Sequence, residues 1–383
     1  MDYHATTPCD PRVLEAMLPY FSGHYGNASS RGHAFGWQAA GAVQIAREAI
    51  ASLIHADPSE IIFTSGATES INLAIKGVYE MLSGKGKHMI TISTEHRAVL
   101  DTCNHLEKLG AEVSYLPVQT DGLVDLETLE SSIRPDTILI AVMYANNETG
   151  VVQPIRLIGE IAKKHGIIFF SDATQALGKT SVHVLQDGID LLACSAHKMY
   201  GPKGVGALYV RRKNPRVRLA AQLDGGGQER GFRSGTLNVP GIVGFGKAAG
   251  LATAELNSNM EWTGRLRDRL ERGLLKFEGT SLNGNSLQRV QTVSNISFAQ
   301  VPGNRLLESL LKEIAISSGS ACSSASPEPS HVLKAMGLDD ESANQAIRFS
   351  LGKYNTEEEV DFVIEKVGRT LKDIAGHFQD VPM

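Results

Sequence analysis

Between residues 60 and 210 the chain alternates short runs of β-branched and aromatic residues with longer stretches whose apolar positions recur at helical spacing. Ile61-Ile62-Phe63-Thr64 precedes a helix predicted to start near Thr68, and His88-Met89-Ile90-Thr91-Ile92 precedes one starting near His96. Apolar runs at 137–142 and 166–170 flank a helix over 154–164, and 189–193 reads as a further buried strand. These βα repeats predict an α/β fold whose large domain is a mostly parallel sheet wrapped by helices. In such sheets ligands gather at the carboxyl ends of the strands.

Past residue 250 the pattern changes. A charged helical stretch at 260–277 is followed by a strand-like run at 290–298 and a helix at 303–312. A strand at 346–350 and a helix at 356–371 close the chain, with Glu359 three residues after Thr356 as in a capping box. A smaller α+β C-terminal domain is therefore expected, with the domain change near residue 250. Within it, Ser317-Ser318-Gly319-Ser320-Ala321-Cys322-Ser323-Ser324-Ala325-Ser326-Pro327 is small and polar, and a mobile loop is predicted over 317–327.

Lys198 is the residue with the sharpest chemical reading. It leaves the end of the predicted 189–193 strand in Ser195-Ala196-His197-Lys198, just before a Gly/Pro-rich turn. An amine held rigidly and partly desolvated at a strand end loses basicity and can form a Schiff base. Ser195 and His197 offer donors to an anion, so the group suits pyridoxal 5'-phosphate; a lysine before Gly/Pro is more often only a solvated turn residue. Asp172 ends a buried strand, where a carboxylate is costly unless paired, and a protonated ring nitrogen is a natural partner. Its competing role is a helix cap. Gln175 and Asn147 are placed to hydrogen-bond the ring's phenolic oxygen. His96 can stack on a flat ring or be a surface residue. Thr64-Ser65-Gly66-Ala67-Thr68 joins a strand to a helix and can cup an anion, although by itself it favours a Ser65 or Thr68 cap. The glycine- and arginine-rich segment 225–236 suits either an anion or a subunit contact. Arg348 lies between apolar neighbours and either aims its fork inward at a carboxylate or points outward from an edge strand.

Composition narrows the class. The 383 residues are 42% hydrophobic and 21% charged with a net charge of −5, which suits neither a nucleic-acid nor a membrane-surface protein. No apolar run reaches membrane-spanning length, and Met1-Asp2-Tyr3-His4-Ala5 lacks a signal-peptide pattern, so the expected location is cytoplasmic. The cysteines Cys9, Cys103, Cys194 and Cys322 show no C-x-x-C spacing, so neither a disulfide framework nor a metal site is predicted. Cys103 and Cys194 sit in apolar segments and read as core. Cys322, among Ser, Ala and Gly, reads as a nucleophilic thiol.

Together these segments resemble the cysteine desulfurases, fold-type I pyridoxal-phosphate enzymes that take sulfur from L-cysteine. The blocks that carry the resemblance run from Asp2-Tyr3-His4-Ala5-Thr6-Thr7-Pro8 to Ile347-Arg348-Phe349-Ser350-Leu351-Gly352. Between them lie Gly26-Asn27, Thr64 to Thr68, Glu95-His96, Asn146-Asn147-Glu148, Asp172-Ala173-Thr174-Gln175, His197-Lys198 and Arg233-Ser234-Gly235-Thr236. The segment from Ser317 to Cys322 is similar to the long catalytic loop of the group that serves iron–sulfur cluster assembly and tRNA thiolation.

The resemblance implies Lys198 as the Schiff-base lysine, Cys322 as the nucleophile that becomes a persulfide, and His96 stacked on the ring and handling protons. It implies that Asp172 pairs with the pyridine nitrogen while Gln175 and Asn147 contact ring substituents and substrate. The Ala67 amide, Thr68, Ser195 and His197 would hold the phosphate, joined by Thr236 from the other subunit of a homodimer. Arg348 and Asn147 would bind the substrate carboxylate. It further implies a large domain over 7–250, a small one over 251–383 joined by residues 1–6, no resident metal, and sulfur acceptors such as an iron–sulfur scaffold or a thiolation relay protein. A cluster ligated transiently through the Cys322 persulfide belongs to the same expectation. Ala28 and Ser323 depart mildly from the family pattern, where Pro and Thr are usual. Scaffold docking is where a departure is expected, because the chain stops at Met383 without the family's longer tail. The runner-up is a selenocysteine lyase or another class V enzyme of this fold, which needs no cysteine on a mobile loop.

Overall fold

The computed structural model describes residues 1–301, 304–318 and 329–379. Its centre is a seven-stranded sheet built from β1 (Ile61–Thr64), β2 (His88–Ile92), β3 (Glu112–Leu116), β4 (Thr137–Ala141), β5 (Ile168–Asp172), β6 (Leu191–Ser195) and β7 (Gly206–Val210). The spatial order is β1-β7-β6-β5-β4-β2-β3, and the neighbours from β6 through β3 are parallel. Only β7 runs against its neighbours β6 and β1.

The apolar runs form this sheet because alternate residues must enter two separate cores. Ile61, Phe63, Ile90, Ile92, Ile140, Phe169 and Leu192 pack on one face. Ile62, Met89, Leu139, Phe170, Leu191 and Leu208 pack on the other. Only β3 keeps a largely open strand, and it lies at the edge. The helix predicted over 154–164 is Ile155–His165, and Gly166 ends it in the left-handed conformation at φ 68°.

A second sheet, in the order β10-β9-β8, is antiparallel and made of β8 (Thr280–Leu282), β9 (Val293–Phe298) and β10 (Ala346–Ser350). Residues from the helices Val239–Leu274, Arg305–Leu310 and Glu357–Gln379 share one apolar cluster with it. The chain's first residues join here, since Asp2 bridges to Ser350.

One helix differs from its expected extent. Instead of starting near residue 260, it runs unbroken from Val239 to Leu274, through the expected domain change. Its first half carries Gly241, Gly244, Gly246 and Gly250 and so lacks a clear apolar stripe. The glycines serve close packing: a Cβ on Gly246 would lie 2.4 Å from the Ala46 Cα on the helix Ala34–Leu53. Asn238 starts the helix by accepting the Gly241 N–H at 3.1 Å.

Candidate active site

Thr64 ends β1, and the chain turns through Ser65 and Gly66 into the helix Ala67–Leu82. The expected side-chain cap from Ser65 or Thr68 is not formed. Gly66 is the N-cap and no side chain caps the first turn. The Ser65 N–H instead goes to Glu69 Oε2 at 2.9 Å, and Thr64 Oγ1 pairs with Ser70 Oγ at 2.8 Å. First-turn N–H groups without a side-chain acceptor, together with the helix dipole, favour an anion. The strand beside this turn must be bare: a Cβ on Gly206 of β7 would lie 2.6 Å from the Gly66 Cα.

Ser195 ends β6 next to that turn, and its Oγ has only a long contact of 3.5 Å to the Val205 carbonyl. His197 Nδ1 meets Thr6 Oγ1 at 3.1 Å. Burial, then the cations Lys198, Lys203 and Lys179, push the His197 imidazole down to about 4, so it is neutral at pH 7.

Lys198 follows in the 3-10 turn Ala196–Lys198. Its Nζ donates to the carbonyls of His4 at 2.5 Å and Ala5 at 2.8 Å. The opening segment of the chain is thus the amine's cradle. His4 itself is buried, and desolvation, Lys179 and Arg348 hold its imidazole well below its ordinary range. A neutral ring whose Nδ1 faces the Asn147 carbonyl at 3.1 Å must carry its proton there. Its Nε2 then accepts from Thr292 Oγ1 at 2.8 Å.

Asp172 is the last residue of β5 and is buried, with one oxygen accepting the Thr174 N–H at 2.9 Å. That bond resembles a cap, but the following residues form turns, so the helix-cap alternative is not realised. Gln175 donates through Nε2 to the His4 carbonyl at 3.0 Å and accepts from Lys179 Nζ. His96 is the N-cap of the helix Arg97–Glu107 and accepts the Ala98 N–H at 3.1 Å. Next to it, Glu95 is buried and pushed well above the carboxylate range by desolvation, and its Oε1 takes the Met143 N–H at 2.5 Å. Arg348 points inward: its side chain is 3% exposed, Nη1 donates to the Asn147 carbonyl at 3.0 Å and Nη2 to Asp2 at 2.9 Å.

One cavity of about 570 Å³ collects these groups. Ala67, Thr68, His96, Asn147, Asp172, Gln175, Ser195, His197, Lys198 and Arg348 all line it. Thr236 does not; it is exposed on a loop whose Arg233 pairs with Glu69 at 2.9 Å. Cys322 and the rest of the 319–327 stretch lie outside the described residues. The described residues on either side of it are anchored. Ser317 pairs with the Arg348 backbone, and Ser330 Oγ donates to the buried Glu148 at 2.5 Å.

Two residues that sequence reasoning did not single out bear on this site: His4 lines the cavity, and Lys179 lies behind it, lining a small neighbouring cavity with Lys198. His4 had a trace in the Asp2 to Pro8 block. Lys179 had none, because Gly-Lys-Thr reads as a solvated turn.

The residue set fits pyridoxal phosphate. It offers an uncapped helix N-terminus for a phosphate, an amine, and a buried carboxylate facing the same space. Thr174 Oγ1 and Arg348 Nε, both on residues lining the cavity, are buried without a protein partner.

The sequence profile of the aminotransferase class-V family matches residues 1–363. A cysteine desulfurase IscS from Anaeromyxobacter sp. (strain K) is 56% identical over 375 residues, covering 98% of this chain and 92% of the relative. One from Cronobacter sakazakii is 54% identical over 97% of this chain and 92% of its own. Among solved structures, a NifS-like protein superposes with a TM-score of 0.90 at 40% identity, covering 97% of this chain and 98% of that one. SspA in complex with cysteine does so with a TM-score of 0.81 at 40% identity, covering 93% and 99%.

Proposed function

The chain belongs to the aminotransferase class-V family, and on that premise we propose the chemistry of its site. It is a pyridoxal-phosphate-dependent cysteine desulfurase, converting L-cysteine to L-alanine and leaving the sulfur as a persulfide on Cys322. The observation that carries the residue assignment is the single cavity at the strand ends where Lys198, Asp172, His96 and Arg348 meet.

When bound, the cofactor supplies an electron sink adjoining the substrate Cα. The Ala67 amide, Thr68, Ser195 and His197 would hold its phosphate. Asp172 keeps a proton at the ring nitrogen, and Gln175 with Asn147 orients the ring's substituents. His96, which lines the cavity, would stack on the ring. Arg348 holds the substrate carboxylate through its guanidinium fork. Lys198 takes the Cα proton, and with His96 it returns protons to carbon as the product forms. The Cys322 thiolate attacks the substrate sulfur, the C–S bond breaks, and one sulfur atom passes to Cys322 while alanine leaves.

The proposal extends to a homodimer in which Thr236 reaches the partner's phosphate site. Leu14, Leu18, Phe21, Phe35, Trp37 and Ile45 are exposed on the N-terminal helices, an apolar surface suited to a second copy. Sedimentation showing a fully active monomer would refute this. The sulfur is proposed to serve iron–sulfur cluster assembly or tRNA thiolation in the cytoplasm. No described helix is long and apolar enough to cross a membrane.

The test is borohydride reduction of the purified yellow protein followed by peptide mapping. The cofactor should be fixed on Lys198, and a label on another lysine would sink the assignment. A second expectation concerns Arg348→Lys, which keeps the charge and loses the fork. KM for L-cysteine should rise on the order of 10-fold or more with cofactor content unchanged, since a bidentate charged contact contributes about 1.5–3 kcal/mol. An unchanged KM would place the carboxylate elsewhere.

A further inference from the structure

A second buried lysine lies directly behind Lys198. Lys179 is 8% exposed, and among the described residues no carboxylate pairs with it. Burial, then the neighbouring Lys198 and Arg348, hold its amine well below the ordinary lysine range. His4 and His197 also lie within its electrostatic reach, and Tyr3, Tyr200 and Lys353 line a cavity of about 20 Å³ that it shares with Lys198. Among the described residues no carboxylate offsets its desolvation, so the amine is costly to bury.

Its polar contact is the oxygen of the Gln175 amide. The other end of that amide faces the His4 carbonyl at 3.0 Å, which also takes the Lys198 amine at 2.5 Å. These neighbours make opposite demands. The His4 carbonyl can only accept, so it takes the amide nitrogen, and the Lys179 amine donates to the oxygen left at the other end. Together they admit one orientation of the amide, oxygen toward Lys179 and nitrogen toward His4. The nitrogen carries two hydrogens, His4 takes one, and Gln175 lines the main cavity.

We propose that Lys179 is a positioning residue: it locks and polarises the Gln175 amide so that an N–H, and not the carbonyl, faces the phenolic edge of the bound cofactor. The inference rests on the cofactor reading given above. A firmly held donor at the phenolic oxygen draws charge away from the neighbouring imine and makes its proton easier to lose. Removing Lys179 loosens that donor, and the cofactor's proton is then retained to higher pH.

The experiment is a pH titration of the visible absorbance of the substrate-free holoenzyme. Lys179→Met should move the midpoint upward by roughly one pH unit, and Lys179→Leu carries the same expectation if the Met variant does not fold. In a Gln175→Met background the Lys179→Met change should add no further shift, because its route has been removed. A variant that titrates with the wild type overturns the proposal, and so does an equal shift in the Gln175→Met background, which would make Lys179 a direct field effect. A wild type with no visible absorbance would instead sink the cofactor reading itself.

Discussion

Cys322→Ser should keep its cofactor, still bind L-cysteine with a visible spectral change, and release alanine at a rate lower by on the order of 10³-fold or more. The thiolate is the nucleophile in sulfur transfer, and a serine hydroxyl is neither ionised near neutral pH nor able to hold a stable sulfur adduct. Brief exposure of the wild type to L-cysteine should add one sulfur atom at Cys322 by mass spectrometry. The other thiols are poor carriers for physical reasons. Burial pushes Cys103 and Cys194 up to about 12, so both are protonated and inaccessible at neutral pH. Cys9 is raised as well, by partial burial and by Asp10. Full turnover in Cys322→Ser, or sulfur found on Cys9, Cys103 or Cys194, would overturn the desulfurase assignment of Cys322 and favour a lyase or aminotransferase chemistry.

The second large effect is expected at Asp172. Asp172→Ala should reduce turnover by about 10²–10³-fold or more, since removing one partner of a buried charged pair costs about 3–5 kcal/mol. Cofactor binding should weaken much less, because the phosphate contacts and Lys198 are untouched. Asp172→Asn separates charge from shape: it can still accept the Thr174 N–H that Asp172 accepts at 2.9 Å, yet it cannot stabilise a proton at the ring nitrogen. The Asn variant should therefore be nearly as slow as the Ala variant while matching the wild type in thermal stability. An Asn variant with normal turnover would return Asp172 to the role of a turn-stabilising residue.

Much of this molecule was legible in its sequence. Strands β2 and β10 were read to the residue, because short runs rich in β-branched and aromatic residues between turn residues leave little freedom in where a buried strand begins and ends. The parallel sheet followed from βα repetition, and Lys198 and Asp172 stood out because a charge at the end of a buried strand needs a reason. The long helix was only half legible. Its glycines lower local helix propensity, and their purpose emerges only where Gly246 lets Ala46 approach.

What the sequence determined by itself is therefore the periodic and the local: strand and helix type, sheet class, and the charged residues that an apolar strand end makes conspicuous. The tertiary structure alone decided what depends on contacts between distant segments. It turned Arg348 inward, against Asp2 and the Asn147 carbonyl, where the strand's alternation left both faces open. It left the helix Ala67–Leu82 without a side-chain cap, although its sequence offers two capping hydroxyls. It brought His4, from the start of the chain, to Lys198 and to the local Gln175–Lys179 pair. Local patterns record which face of an element is buried, whereas the partner that a buried polar group finds is fixed only once the chain has closed on itself.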